Sequence, residues 1–296
     1  MTGPISQITE PEVGRAIKNG KSPGLDDIPA EFWKMKELHP TSTTWLTSFL
    51  NLIVDTGKVP SSWSSRITIP IFKNKGDPAV CSNYWLIWLL SHTMKILERI
   101  IDKRLCSIIT LSTNHRGFVK GCGTIDAIHA ARLLLEKHCE SRKPLHIAFL
   151  DLEKAFDHVP HQLIWYTLRE RQVPEQLISW IKMLYTNTSS HVHCPASTSD
   201  NFPICVGVHQ GSALSPFLFV VVMDTITHDL QQSIPWTLLY ADDVMRANTT
   251  RGSLQEQVLL WKSYLSQWPA PELTQNQIFR NQPNHVHHWS GWKQTQ

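Results

Sequence analysis

Residues 236–247 read Trp-Thr-Leu-Leu-Tyr-Ala-Asp-Asp-Val-Met-Arg-Ala: two short apolar runs separated by a pair of carboxylates. That spacing is the arithmetic of a β-hairpin with Asp242 and Asp243 at or near its turn. Aspartate is favoured in turns, so a turn alone would account for the doublet. A third carboxylate changes the weighing. His146-Ile147-Ala148-Phe149-Leu150 is a continuous apolar run that ends at Asp151. Such a run fits a central strand covered on both faces. Strand-end aspartates brought together make an oxygen-rich cluster that does not stay fully ionised without a cation. Hard oxygen ligands select magnesium or manganese. Two such ions about 3.5–4 Å apart serve in-line phosphoryl transfer.

Composition sets the frame around that pair of strands. The 296 residues are 42% hydrophobic, enough for one composite domain or two lobes. Lys+Arg 28 against Asp+Glu 25 leaves a net charge of +3, which does not advertise a nucleic-acid binder but leaves room for a basic groove. Six cysteines are scattered without C-x-x-C spacing. Zinc and a disulfide framework are both poorly supported, and reduced thiols in an intracellular protein are expected. The opening MTGPISQITEPE lacks a signal-peptide pattern. The longest apolar run, Phe217–Met223, is too short to span a bilayer. A soluble protein without membrane partners is expected, in the nucleus or the cytoplasm.

Helical and extended signals alternate without a repeat. Thr9-Glu10-Pro11-Glu12 starts a helix expected to end near Asn19-Gly20, ahead of a turn-rich KSPGLDDIP. Residues 44–54 are apolar enough for a buried helix. Arg66–Phe72 alternates and is rich in β-branched residues, so a strand is expected, with Pro70 favouring an edge. Helices are expected over 94–109, 125–138, 161–171, 174–185 and 213–230, and short strands near 191–194 and 202–206. After Asp243 the pattern decays, and the polar last twenty residues or so are expected to be disordered.

Five stretches, in order and with family-like gaps, resemble the reverse transcriptases of non-LTR (LINE-type) retrotransposons, with a texture most similar to the RTE-like clade. They are NGKSPGLDDIPAEFWK, the fingers-like ITIPIFKNKGDPAVCSNYWLIWLLSHTMKILERIIDKRL, the palm-like HIAFLDLEKAFDHVPHQLIW, GVHQGSALSPFLFVVVMD and the hairpin LLYADDVM. The resemblance covers roughly residues 10–265. The resemblance implies an α+β right-hand polymerase fold, with helical fingers interwoven with an antiparallel palm sheet and the thumb missing or degenerate. It implies fingers and an N-terminal extension over 1–145, a palm over 146–250, and a thumb remnant with a polar tail over 251–296. Asp151, Asp242 and Asp243 become the catalytic metal carboxylates, with the backbone carbonyl of Leu152 contributing. Phe156 becomes the gate against a ribose 2′-hydroxyl, although ordinary core packing also explains it. Gln210 and Gly211 become contacts to template and incoming nucleotide, glycine permitting close backbone approach. Lys73 becomes a lysine near the nucleotide phosphates, where a solvated surface lysine is the bland reading. The implied partners are an RNA template, a DNA primer and a deoxynucleoside triphosphate, with two Mg²⁺ ions as cofactor and Mn²⁺ as the alternative.

Other features fail inspection. Asn19-Gly20-Lys21-Ser22 suggests the end of a phosphate-binding loop, but the required glycine at position 15 is Arg15. The tail histidines in HVHHW read as solvated residues, and Asp26-Asp27 as a loop or capping pair. The departures from the family are equally informative. Where it has Asn-Tyr-Arg-Pro-Ile-Ser, this chain has Asn83-Tyr84-Trp85-Leu86-Ile87-Trp88, replacing an arginine that would grip the triphosphate. His115 stands where the family has glutamine, and Arg246 where it has an aliphatic residue. A buried, unpartnered Arg246 would cost several kcal/mol. The downstream Leu-Asn-x-x-Lys-Thr segment is absent, no thumb pattern follows and no endonuclease pattern precedes. The expected function is RNA-directed DNA synthesis. The alternative is a decayed, catalytically inactive relic that at most binds nucleic acid. A different right-hand polymerase, such as a group II intron maturase or telomerase, or a scaffold stands behind both.

Overall fold

The computed structural model describes residues 5–18, 28, 30–34, 39–119, 121–152, 154–194, 197–267 and 273–280. Its helices are α1 (Glu10–Ala16), α2 (His39–Thr56), α3 (Ser61–Ser64), α4 (His92–Ile108), α5 (Thr124–Glu140), α6 (Ala155–His158), α7 (His161–Glu170), α8 (Glu175–Tyr185), α9 (Ser215–Thr227) and α10 (Arg251–Gln267). Its strands are β1 (Ser65–Phe72), β2 (Tyr84–Leu89), β3 (His146–Leu152), β4 (Ser189–Cys194), β5 (Ser197–Thr198), β6 (Phe202–Pro203), β7 (Thr237–Tyr240), β8 (Asp243–Asn248) and β9 (Leu273–Arg280). The fold is α+β. Two compact units interleave along the chain, one drawn from residues 1–111 and 154–226, the other from 112–153 and 227–296. Among the described residues no helix is long and apolar enough to cross a membrane.

The first unit holds a sheet in the order β2-β1-β4-β5, with β6 also beside β4. β1 is therefore internal, contrary to the edge expected from Pro70. The reason is local: β4 pairs with β1 only over Ser65–Thr68, so Pro70 falls where β1 has a single neighbour, β2, and its missing N–H costs no ladder bond. β2 itself escaped the sequence reading, because Trp85, Leu86 and Ile87 are all exposed and show no inside–outside alternation. α1 starts as expected: the Thr9 N–H donates to the Glu12 carboxylate at 2.9 Å, with Pro11 in the first turn. It stops at Ala16; the expected end at Asn19-Gly20 and the Asp26-Asp27 pair lie outside the described residues. α2 buries Leu46, Leu50 and Ile53 but exposes Trp45 and Leu52, so residues 44–54 form a one-sided helix rather than a buried one.

The second unit is one sheet in the order β7-β8-β3-β9. β3 is central, as its apolar run implies. One face carries Ile147, Leu238, Met245 and Ala247 against Leu134 of α5. α10 lies against β8 and β3, burying Leu254, Val258, Trp261 and Leu265. Each such aliphatic side chain contributes about 1.5–3 kcal/mol relative to exposure. α10 and β9 show that order does not end at Asp243. β9 pairs antiparallel along β3, which gives a polar-looking segment its structure through backbone hydrogen bonds rather than apolar pattern. Residues 281–296, including the HVHHW histidines, lie outside the described residues.

Arg246 is buried on β8, but not without partners. Its Nη1 donates to Thr237 Oγ1 and, at 3.2 Å, to the Leu230 carbonyl, and its guanidinium lies 5.8 Å over the Trp261 ring. Nε is left without a hydrogen bond, and burial pulls the pKa down to about 10. No carboxylate pairs with it among the described residues. The expected cost is thus offset in part by one hydroxyl, one carbonyl and one indole. Thr237→Val should lower unfolding free energy by about 2 kcal/mol in urea titration, because it strips a buried cation of an acceptor. Adding Arg246→Leu to that variant should recover most of the loss, since the charge that needed the acceptor is gone.

Candidate active site

Pairing of β3 with β8 sets Asp151 directly opposite Asp243, and pairing of β7 with β8 sets Tyr240 opposite Asp243. The hairpin turn is Ala241-Asp242, with Ala241 at φ 54. Leu152, buried at the end of β3, donates its N–H to the Asp242 carbonyl at 3.2 Å, which ties the turn to the central strand. Asp151, Leu152, Asp242 and Asp243 thus gather at one end of one sheet.

The two hairpin carboxylates are perturbed by burial and by neighbouring charge. Asp242 is pushed above the usual carboxylate range by burial and then by the Asp151 charge. Asp243 is pushed up to about 6 by partial burial of its carboxyl, then by the charges of Asp242 and Asp151. The Asp243 side chain reaches solvent, so salt and added cations will screen part of this effect. Among the described residues no three His, Cys, Asp or Glu side chains close into a ready-made metal cage. The donor set nevertheless suits a hard divalent ion that completes its shell with waters and phosphate oxygens: it is all oxygen, and its negative charge is uncompensated.

A residue that sequence reasoning passed over supports the turn. Segment 114–116 runs beside β7, with Arg116 N–H donating to the Leu239 carbonyl at 2.8 Å and Leu239 N–H to the Asn114 carbonyl at 2.9 Å. This brings Gly117 against the hairpin, where an added Cβ would fall 2.6 Å from the Ala241 nitrogen. Only glycine fits that approach. The Tyr240 hydroxyl shares a 2.6 Å hydrogen bond with Thr124 Oγ1 at the start of α5. The glycine stands in Asn114-His115-Arg116-Gly117-Phe118, but nothing local in that stretch shows why position 117 requires it.

The remaining candidates lie in the first unit. Phe156, on α6, stacks on Phe219 with centroids 4.3 Å apart, so packing explains at least part of its presence. Gln210 Nε2 donates to Asp157 Oδ1 at 2.5 Å, which makes Gln210 a neighbour of the Phe156 segment. Gly211 has φ 87, and a Cβ there would lie 2.9 Å from the Trp88 carbonyl oxygen, so both backbone angle and space require glycine. Lys73 follows β1 and is exposed, its N–H donating to the Asn83 carbonyl at 2.9 Å. Trp85, in register with Ile71, is 51% exposed.

A central strand and an adjoining hairpin that gather three aspartates at one sheet end are the arrangement expected of a metal-dependent nucleotidyl-transferase domain. Comparison with known families narrows that class. Residues 72–270 match the model described as reverse transcriptase (RNA-dependent DNA polymerase), and the chain belongs to that family. It is 28% identical over 231 residues to the Retrovirus-related Pol polyprotein from type-1 retrotransposable element R2 of Nasonia vitripennis, covering 73% of this chain and 22% of that protein. It is 29% identical over 252 residues to the corresponding R2 polyprotein of Popillia japonica, covering 80% of this chain and 34% of that protein. It is 28% identical over 286 residues to the RNA-directed DNA polymerase from mobile element jockey of Drosophila melanogaster, covering 90% of this chain and 31% of that protein. The chain therefore spans about a fifth to a third of the length of these relatives.

Two outcomes follow from this geometry. Gly117→Ala should displace the hairpin turn and lower the melting temperature by several degrees, because backbone rather than a flexible side chain meets the new methyl. The second concerns pH. The raised Asp243 pKa means that the folded protein holds a proton between about pH 4 and 6 that the unfolded chain has released. Its repulsion is absent below that window and fully felt above it. Without divalent ions, Asp243→Asn should melt higher than the wild type at pH 7.5, and the gap should narrow as pH falls through about 6 and close below about 4.

Proposed function

We propose that this chain is the reverse-transcriptase domain of a non-LTR retrotransposon, with the RTE-like clade as its finer placement, and that it extends a DNA primer on an RNA template. The observation that carries the reading is Asp151 opposite Asp243 across β3 and β8, with Asp242 in the adjoining turn. Asp151, Asp242, Asp243 and the Leu152 carbonyl would hold the ions, magnesium in preference to manganese. When bound, two such ions lower the barrier to in-line attack of a primer 3′-hydroxyl on the α-phosphate of a deoxynucleoside triphosphate, with pyrophosphate leaving. The chain's own residues bind and orient. Gln210 and Gly211 face template and nucleotide, Phe156 blocks a 2′-hydroxyl, and Lys73 attracts the phosphates. The 1–145 and 146–250 segments take the parts of fingers and palm, and 251–296 that of a reduced thumb.

One observation favours a second reading, an inactive relic. Trp85 occupies the family's triphosphate-binding arginine position and presents half of its surface to solvent. Primer extension on an RNA template with Mg²⁺ separates the two. In the active reading Asp242→Asn lowers extension at least about 100-fold, roughly 2.7 kcal/mol of barrier. Equal activity in the wild type and Asp242→Asn would remove the metal assignment. Extension that emerges only in Trp85→Arg would establish the relic reading and locate the loss at the triphosphate grip.

A further inference from the structure

Among the contacts that hold residues 207–213 of the first unit to residues remote in sequence, four bear on Gln210 and Gly211. Gly207, at φ 86, lies against the Asp157 backbone, where a Cβ would come within 2.7 Å of the carbonyl oxygen. Gln210 is tied to the Asp157 carboxylate, and Gly211 rests on the Trp88 carbonyl. The fourth point is Glu98 on α4. Its Oε1 accepts the Ser212 hydroxyl at 2.7 Å and its Oε2 accepts the Ala213 N–H at 2.9 Å. Ser212 Oγ in turn accepts the N–H groups of Leu214 at 3.0 Å and Ser215 at 3.2 Å, capping the start of α9.

Glu98 does not belong on that face of α4 for packing reasons. Its buried apolar neighbours on the helix are Met94, Ile96, Leu97, Ile100, Ile101 and Leu105, and Glu98 is only 1% exposed among them. Burial drives its pKa up, against the two hydrogen bonds and the charges of Arg66 and Lys95. An aliphatic residue would fill the space without that cost. What a carboxylate adds is two oxygens fixed about one carbon, gripping two donors in consecutive residues through charge-assisted bonds. Those two residues follow directly on Gln210 and Gly211.

We propose that Glu98 is a positioning residue: by holding Ser212 and Ala213 it fixes Gln210 and Gly211 in the geometry that receives template and incoming nucleotide. The substrate half of this statement rests on the role given to Gln210 and Gly211 above; the clamp does not. Glu98→Gln keeps the shape but replaces one acceptor with a donor, and Ser212 Oγ, already accepting twice, is poorly placed to receive it. In the full chain without nucleic acid, amide exchange at residues 213–215 should speed at least about tenfold while β3 stays protected. Unchanged exchange there would overturn the clamp. In primer extension, KM for the deoxynucleotide should rise at least about fivefold with kcat changed less than about twofold. A fall in kcat at constant KM reports only lost folded enzyme and would also overturn the proposal. Should Glu98→Gln not accumulate as folded protein, Ser212→Ala removes the same bond from the loop side; because it also strips the caps from Leu214 and Ser215, exchange is then read at Ala213 alone, and an unchanged rate there with an unchanged KM would defeat the idea. A wild type without extension would sink the polymerase reading, and exchange would still decide whether Glu98 holds the loop.

Discussion

Everything in the second unit is arranged around a repulsion. Three carboxylates are held at one end of a sheet whose interior is apolar, and none has a basic side chain as an ion-pair partner among the described residues. Strand register keeps Asp151 and Asp243 opposite each other, because a slip of one residue would turn every buried side chain of β3 to the wrong face. The apolar pattern of β3 and β8 therefore does two jobs. It drives burial, and it forces together charges that would otherwise separate. The surrounding contacts, from the Leu152 N–H on the Asp242 carbonyl to Gly117 beneath Ala241, stiffen the turn against that strain.

The parts of this site legible in the sequence were those that depend on local pattern. An unbroken apolar run ending in aspartate is a central strand, and a doublet between two short runs is a hairpin; both stand in the structure. What escaped depended on contacts between distant segments. β9 forms because β3 offers an edge, not because Thr274-Gln275-Asn276-Gln277 has a strand pattern. β2 is a strand in which Trp85, Leu86 and Ile87 are exposed in succession. Glu98 looks like one more solvated charge on an amphipathic helix until its partners, more than a hundred residues on, are known. Gly117 was visible but mute, because the need for glycine arises from the neighbouring hairpin.

Departures from the family divide by environment. Arg246 is an inward change, and its neighbourhood has met it with Thr237, the Leu230 carbonyl and Trp261. Such accommodation keeps a core intact whatever happens to turnover. Trp85 is an outward change and needs no accommodation from the fold, since a solvent-facing indole on β2 disturbs little packing. Stability and chemistry are thus subject to separate accounts in this chain, and the intact doublet speaks only to one of them.

The interleaving of the two units bears on how the protein is made. Asp151 leaves the ribosome 91 residues before Asp242, counting 242 − 151, and residues 154–226 between them belong to the other unit. At about 5–20 residues per second, β3 waits on the order of 5–20 s for the strand that completes its charged end. During that interval its apolar flanks have no β8 to cover them. The delay is written into the chain order, and a cell making this protein must shelter an unfinished sheet while the intervening unit emerges.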